Sequence, residues 1–272
     1  MLTPVLTQRS GRVKAARKLG RRSERFEQRR FLAEGAKALV EALTVPGGVV
    51  EVFATEAASA EYAALRKAVD DAGVPWSLVD EVALASLSGA VTPQGIVAVC
   101  RFLDVPLDLV LQQPAPGATV VICADVRDPG NAGTVIRTAD AAGARGVVLA
   151  GTSVDPYNDK TVRATVGSLW HVPVALVDDA GDCVRDARAA GYAVLATDGA
   201  GDTDLFDAEN SGLLEQPVAW LFGNEAQGLA EDLLGAADHR VSIPILGQAE
   251  SLNLSTAAAV CLYASARAGR RT

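Results

Sequence analysis

Cysteine is sparse in this 272-residue chain: Cys100, Cys123, Cys183 and Cys261 stand far apart, no Cys-x-x-Cys pair occurs, and three of the four interrupt apolar runs. That spacing argues against a disulfide framework or a thiolate metal knuckle and predicts reduced, buried thiols. Histidine occurs only at His171 and His239, neither with a second ligand at metal spacing, so both are read as structural and no metal is expected. Aromatic residues make up 5% of a chain that is 49% apolar, which describes an Ala/Val/Leu-rich α/β protein rather than a fibrous or disordered one. Long hydrophobic runs are missing as well. The longest uncharged stretch, Val82 to Cys100, is broken by Ser88-Gly89 and by Pro93-Gln94-Gly95, so it does not read as a membrane span. Met1 to Leu6 leads into basic residues with no apolar core of a secretory signal, and a cytoplasmic location is expected.

Positive charge is scarce overall, with a net charge of −8, which taken alone argues against a nucleic-acid partner. Its distribution says otherwise. Residues 1–30 hold ten basic residues, Arg9, Arg12, Lys14, Arg17, Lys18, Arg21, Arg22, Arg25, Arg29 and Arg30, against two acidic ones. A basic arm on an acidic body is a sign of phosphate binding, although a solvated helix would look the same.

Behind that arm, the periodicity predicts a helix over 36–43, a strand over 49–54, a helix over 57–72, a short strand at 76–79, a small helix near Leu84 and a buried strand over 94–100. This small α/β unit closes at residue 103. The stretch 104–117, with Pro106, Pro114 and Pro116, has the composition of a linker. From 118 to 272 strands and helices alternate, with strands at 119–124, 146–150, 172–176, 193–197, 218–222 and 241–243 and a terminal helix from about Leu254. That order implies a parallel sheet covered on both faces.

Three blocks carry candidate chemistry. In Asp125-Val-Arg127-Asp128-Pro129-Gly130-Asn131-Ala132-Gly133-Thr134-Val-Ile-Arg137-Thr138-Ala139, a strand turns into a helix that Asn131 is suited to cap, and Arg137 lies six residues after Asn131 on an otherwise apolar element. An arginine there either pairs with a buried carboxylate or grips a phosphate or a reacting hydroxyl. The second block, Trp220-Leu221-Phe222-Gly223-Asn224-Glu225-Ala226-Gln227-Gly228-Leu229, is a strand running into a glycine-bounded turn, offering backbone groups to a purine or ribose and a carboxylate at Glu225. It is neither a P-loop nor a Gly-x-Gly-x-x-Gly fingerprint, which sets aside a nicotinamide dehydrogenase. The third runs from Ile243-Pro244 to Ser251-Leu252-Asn253-Leu254-Ser255, where Ser251 or Ser255 can cap the last helix and Asn253 presents both a donor and an acceptor.

Singly, each block has a structural explanation. Their order, Asn-x-Gly-x-x-x-Arg-Thr-Ala, then Phe-Gly-Asn-Glu-x-x-Gly-Leu, then Ile-Pro-x-x-Gly-x-x-x-Ser-Leu-Asn-x-Ser, resembles the SpoU branch of the SPOUT RNA methyltransferases over about residues 118–268. The segments Val154-Asp155-Pro156-Tyr157 and Arg163-Ala164-Thr165-Val166-Gly167-Ser168 are similar to the family's intermediate motif. Arg30-Phe-Leu-Ala-Glu-Gly-Ala-Lys37 resembles the start of its N-terminal substrate-binding domain. Two-domain chains of this shape are similar to ribosomal RNA enzymes, including the thiostrepton-resistance group.

The resemblance implies an α/β C-terminal domain with a deep trefoil knot, an exception to the rule that chains do not knot, and a smaller N-terminal α/β RNA-binding domain. It implies S-adenosylmethionine as cofactor, held by Thr197, Asp198, Gly199, Gly223, Glu225, Ile243, Leu246, Ser251, Leu252 and Asn253. It implies 2′-O-methylation of RNA by a homodimer, with Arg137, Asn131, Glu225, Ser251 and Asn253 as the catalytic set. The family gives the activating role to the arginine at position 137; a guanidinium is rarely deprotonated, so it can instead stabilise the developing alkoxide while Glu225 takes the proton. Ala257, Ala258, Val260, Cys261 and Ala264 make the terminal helix apolar enough for a partner subunit, as they would for an intrachain helix. Ribosomal RNA is the expected substrate; transfer RNA, or a non-catalytic role in ribosome assembly, is the alternative.

Overall fold

The computed structural model describes residues 4–270. Internal contacts divide the chain into two units, one running to Leu103 and including Asp155–Trp170, the other formed by Asp104–Val154 and everything from His171. The segment 155–170, which by sequence position lies inside the second domain, therefore groups with the first.

The stretch read as a basic arm is folded into two helices, α1 (Gly11–Lys18) and α2 (Arg22–Gln28). Val13, Ala16 and Leu19 recur at helical spacing and are buried with Phe53, Val79, Leu84 and Val97. Arg25 is also buried, its Nε and Nη2 donating to Asp155 Oδ2 at 2.8 and 2.6 Å and its Nη1 to the Leu19 carbonyl at 2.9 Å. Arg9, Arg12, Lys14, Arg17, Lys18, Arg21, Arg22 and Arg29 stay exposed. There follow β1 (Arg30–Glu34), α3 (Ala36–Leu43), β2 (Val49–Ala54), α4 (Glu56–Glu61), α5 (Ala63–Asp71), β3 (Trp76–Leu78), α6 (Glu81–Ala85) and β4 (Ile96–Arg101). They build a mixed sheet in the order β1-β4-β2-β3, in which only β2 and β3 run parallel. The single helix expected over 57–72 is broken at Tyr62, which leaves helical geometry with φ −105° and ψ 43°. Ser59 Oγ donates back to the Thr55 carbonyl at 2.7 Å, a bond of the kind that bends a helix.

In the second unit the proline-rich stretch carries α7 (Leu107–Val110), whose Val110 is buried in the core. Beyond it come β5 (Thr119–Ala124), α8 (Pro129–Ala142) and β6 (Gly146–Ala150); then α9 (Asp159–Thr165), which belongs to the first unit; then β7 (Val174–Val177), α10 (Ala180–Ala189), β8 (Ala193–Thr197), β9 (Thr203–Asp204), α11 (Leu205–Asn210), β10 (Val218–Phe222), α12 (Glu231–Ala236), β11 (His239–Ser242) and α13 (Leu254–Ala268). Seven parallel strands form one sheet in the order β7-β6-β5-β10-β8-β11-β9. Every residue of β5, β6 and β10 is buried, as expected of strands covered on both faces. From β5 the chain first builds β6 and β7 on one side, then returns to build the other, so β5 and β10 flank a point where strand order reverses. Ligands of open α/β sheets bind at the carboxyl end of such a point.

Two expected helix caps differ. Asp128, not Asn131, caps α8, accepting from the Asn131 amide at 2.7 Å, because Pro129 needs no hydrogen-bond partner for its nitrogen and lets the helix start three residues earlier than predicted. Asn253, not Ser251 or Ser255, caps α13. The four cysteines are buried, and burial pushes the thiols of Cys100, Cys123 and Cys183 up to about 12. Among the described residues no helix is long and apolar enough to cross a membrane.

Candidate active site

The carboxyl ends of β5, β10, β8 and β11 bring the three sequence blocks together. Gly223 is required at the end of β10 by close approach: a Cβ there would fall on the Gly228 carbonyl and the Leu229 nitrogen. Two mutual backbone bonds of 2.9 Å between Asn224 and Gly228 close this turn. Asn224 also locks it from the side, its Oδ1 accepting from Ala226 N at 2.9 Å and its Nδ2 donating to the Asp125 carbonyl at 2.9 Å.

A polar chain then joins all three blocks. The Glu225 carboxylate accepts from Arg127 N at 3.2 Å, Asp128 N at 3.0 Å and Asn131 Nδ2 at 3.2 Å. Asn131 Oδ1 accepts from Asn253 Nδ2 at 3.0 Å. Asn253 Oδ1 in turn accepts from the Ser255 amide and hydroxyl at 2.9 and 2.7 Å, which fixes its amide orientation. Asn131, at the third position of α8, is thus an oriented relay between the second and third blocks rather than a cap.

Burial alone would raise the Glu225 pKa. Hydrogen bonds from its own backbone, Asp128 N, the Asn131 side chain and Arg127 N outweigh that and hold it below the usual glutamate range. A carboxyl held down in this way is a weak base, so the geometry favours Glu225 as the organiser of Asn131 over Glu225 as proton acceptor. The linkage sign follows: the contribution of Glu225 to site order is present above its ordinary pKa and is lost as pH falls through its lowered folded value. The pH profile of the reaction is therefore expected to show no limb from Glu225 between about pH 5 and 8. Glu225→Gln, which turns an amide group toward donors, is expected to weaken ligand binding across that whole range. A limb near pH 6 that vanishes in Glu225→Gln would make Glu225 the proton acceptor after all.

Two cavities meet at Asn224 and Glu225. The inner one, of about 270 Å³, is lined by Thr197, Asp198, Gly199, Gly223, Glu225, Ile243, Ser251 and Leu252, all expected from the sequence. It is also lined by Phe222, Asn224, Gly228, Val241, Ile245, Glu250, Leu254 and Ala257, which were not. Its walls combine apolar side chains, open backbone at Gly199 and Gly228 where a Cβ would meet nothing, and the carboxylates of Asp198, Glu225 and Glu250, with no cationic side chain among them. That chemistry suits a ligand with a planar apolar part and a positively charged centre. Leu246 stands outside, 89% exposed, while its neighbour Ile245 lines the wall. The outer, more open cavity, of about 730 Å³, is lined by Arg127, Asp128, Pro129, Asn131, Asn224, Glu225, Ala226, Gln227 and Asn253. Asn253 thus faces the outer space.

Arg137 lines neither cavity. Six residues advance about 9 Å along a helix and rotate by about 240°, which carries it to a different face of α8 from Asn131. There it is exposed and makes no hydrogen bond or ion pair among the described residues. On α13, Ala258 and Cys261 turn into the chain's own core, whereas Val260 and Tyr263 are exposed. Arg127, Asn224 and Gln227 were missed by sequence reading, although all three lie inside or beside the quoted blocks.

Comparison with known proteins gives consistent results. Residues 118–263 match the SpoU rRNA Methylase family, and residues 11–98 match the MRM3-like substrate binding domain. The chain is 34% identical over 256 residues to the 23S rRNA (guanosine(2553)-2′-O)-methyltransferase RlmP of Bacillus subtilis, covering 93% of this chain and 94% of that protein. It is 42% identical over 144 residues to a 23S rRNA (uridine(2479)-2′-O)-methyltransferase of Streptomyces viridochromogenes, covering 51% of this chain and 49% of the relative. A crystal structure of an AdoMet-bound rRNA methyltransferase from Sinorhizobium meliloti superposes with a TM-score of 0.84 at 35% identity, covering 97% of this chain and 98% of that one.

Proposed function

The chain belongs to the SpoU rRNA methylase family, and on that premise we propose that it is an S-adenosylmethionine-dependent enzyme methylating a ribose 2′-hydroxyl of 23S ribosomal RNA. The observation that carries this reading is the meeting of an inner, anionic cavity with a more open polar one at Asn224 and Glu225. Cofactor in the inner space and ribose in the outer would face each other across that junction.

The inner cavity fits the cofactor by its chemistry. Apolar side chains and free backbone suit an adenosyl group, and Asp198, Glu225 and Glu250 suit its positive centres. S-adenosylmethionine supplies an electrophilic sulfonium methyl, and catalysis then rests on alignment and charge. Thr197, Asp198, Gly199, Gly223, Ile243, Ser251 and Leu252 hold the cofactor. Glu225, Asn131 and Asn253 form the oriented chain against which the ribose is set. Arg137 stabilises the alkoxide that develops on the 2′-oxygen. Because it is exposed away from both cavities, we assign it to the site of a second copy in a homodimer, with Val260 and Tyr263 in the covered surface. The exposed bases of α1 and α2 bind the RNA backbone. We also infer the family's trefoil knot, since β11 lies outside β8 whereas the following α13 returns to pack on α8. A ribosomal RNA substrate implies a cytoplasmic enzyme.

The test is incubation with tritiated S-adenosylmethionine and separated ribosomal and transfer RNA pools, followed by mapping of the modified nucleotide. Label in 23S rRNA as a 2′-O-methyl ribose is expected. Label in transfer RNA alone would move the substrate, and label in neither pool would remove the enzymatic reading.

A further inference from the structure

Among the described residues Arg127 is the one cationic side chain lining the outer cavity, whose other charged residues are the carboxylates of Asp128 and Glu225. A strand of RNA entering that space brings phosphates on both sides of the reacting ribose. The two carboxylates alone would repel them, and Arg127 is the available counterweight.

The chain supports this arginine in an unusual way. Asp125, directly after β5, adopts a left-handed backbone with φ 56°, one of three non-glycine residues to do so among the described residues. Such a conformation is disfavoured for a residue with a side chain and persists where surrounding contacts over-determine it. Here the Asp125 carboxylate accepts from both the amide and the hydroxyl of Thr152 at 2.7 Å. Those bonds, ahead of the field of Arg127, hold its carboxyl below the usual aspartate range. The Thr152 hydroxyl, with its proton directed to Asp125, accepts from Arg127 Nη2 at 3.4 Å. The Arg127 amide is meanwhile tied to Glu225 at 3.2 Å. A strained aspartate therefore fixes a threonine, and the threonine steers an exposed guanidinium at the cavity rim.

We propose that Arg127 anchors a backbone phosphate of the acceptor RNA beside the ribose to be methylated, with Asp125 and Thr152 as the positioning residues that preset its guanidinium. The proposal rests on the RNA methyltransferase reading above and adds to it a named substrate contact.

The test uses the full-length protein and in-vitro-transcribed 23S rRNA. RNA affinity is measured at several KCl concentrations, S-adenosylmethionine affinity by calorimetry, and methyl transfer as KM and kcat, for wild type, Arg127→Ala, Arg127→Lys and Thr152→Val. For Arg127→Ala the slope of log affinity against log salt is expected to fall by about 0.7 to 0.9, as for loss of one phosphate contact, with RNA binding about three- to tenfold weaker near 0.1 M salt. KM for RNA rises by a like factor while kcat and cofactor affinity stay near wild type. Arg127→Lys keeps the slope but regains only part of the affinity, because an ammonium lacks the fork geometry. Thr152→Val keeps the slope with a smaller loss of affinity. An unchanged slope in Arg127→Ala overturns the anchor, and a loss of cofactor affinity there makes the role structural. Wild-type behaviour of Thr152→Val removes the positioning relay. A wild-type protein that neither binds nor methylates the RNA sinks the underlying function instead, so the two failures are distinguishable.

Discussion

Arg137→Ala is expected to lower kcat for methyl transfer by about 10²- to 10³-fold, the usual effect of removing a group that stabilises developing negative charge, while the affinity for S-adenosylmethionine stays unchanged. The second half of that expectation comes from position: Arg137 lines neither cavity, so its loss leaves the lining of the inner one as it was. Arg137→Lys keeps the charge but not the fork, and recovers only part of the rate. Mixing separates the two ways Arg137 can reach a ribose. Arg137→Ala protomers retain an intact inner cavity, and Gly223→Ala protomers, whose added methyl collides with the Gly228 carbonyl, retain Arg137. If Arg137 serves the partner's site, dimers formed from the two regain activity that neither variant has alone. Activity absent from the mixture but present in each wild-type control would put Arg137 in its own protomer's site. Near-normal turnover in Arg137→Ala would take it out of the mechanism.

What could be read from sequence here follows from which interactions are local. The parallel sheet was legible because β5, β6, β8 and β10 are short apolar runs bounded by turn residues, and part of the inner-cavity lining because Gly223, Ser251 and Leu252 are ordered by motif. The cap positions were not. Asn131 and Asn253 are both good caps by residue type, but Asp128-Pro129 starts α8 earlier, and only the three-dimensional meeting of the blocks shows Asn131 bonded to both Glu225 and Asn253, 94 and 122 residues away. The charge-rich first thirty residues misled in a different way. Composition showed ten bases, but not that Val13, Ala16 and Leu19 form a buried face, nor that Arg25 is consumed internally by a carboxylate 130 residues distant. Arg127 escaped notice because nothing in a Val-Arg-Asp-Pro string reveals that its side chain stands alone among carboxylates.

The Arg25–Asp155 pair leads to the second large effect. Its side chains are 6% and 4% exposed, and Asp155 Oδ1 additionally accepts from Tyr157 N at 2.8 Å, so both oxygens of the carboxylate are satisfied. Two buried charges contribute little net stability compared with an apolar pair of equal volume, but removing one leaves the other unpaired in a low-dielectric interior. Asp155→Ala strands a guanidinium whose remaining hydrogen bond is to the Leu19 carbonyl, and is expected to destabilise the first unit by about 3–5 kcal/mol. Arg25→Met alone should cost a similar amount, and the double change Arg25→Met with Asp155→Leu much less, which is the signature of coupling rather than of two independent losses. Trp76 and Trp170 lie in the first unit and Trp220 in the second, so denaturant unfolding followed by fluorescence in a Trp220→Phe background isolates the relevant transition. Because Asp155 opens the segment that joins the first unit from within the sequence of the second, the loss should appear in that transition and not in one reported by Trp220 alone. A cost below about 1 kcal/mol in Asp155→Ala, the range of an exposed ion pair, would mean that water reaches this pair in solution and that the segment 155–170 is held by its apolar contacts, Tyr157 and Trp170 against Phe31, instead.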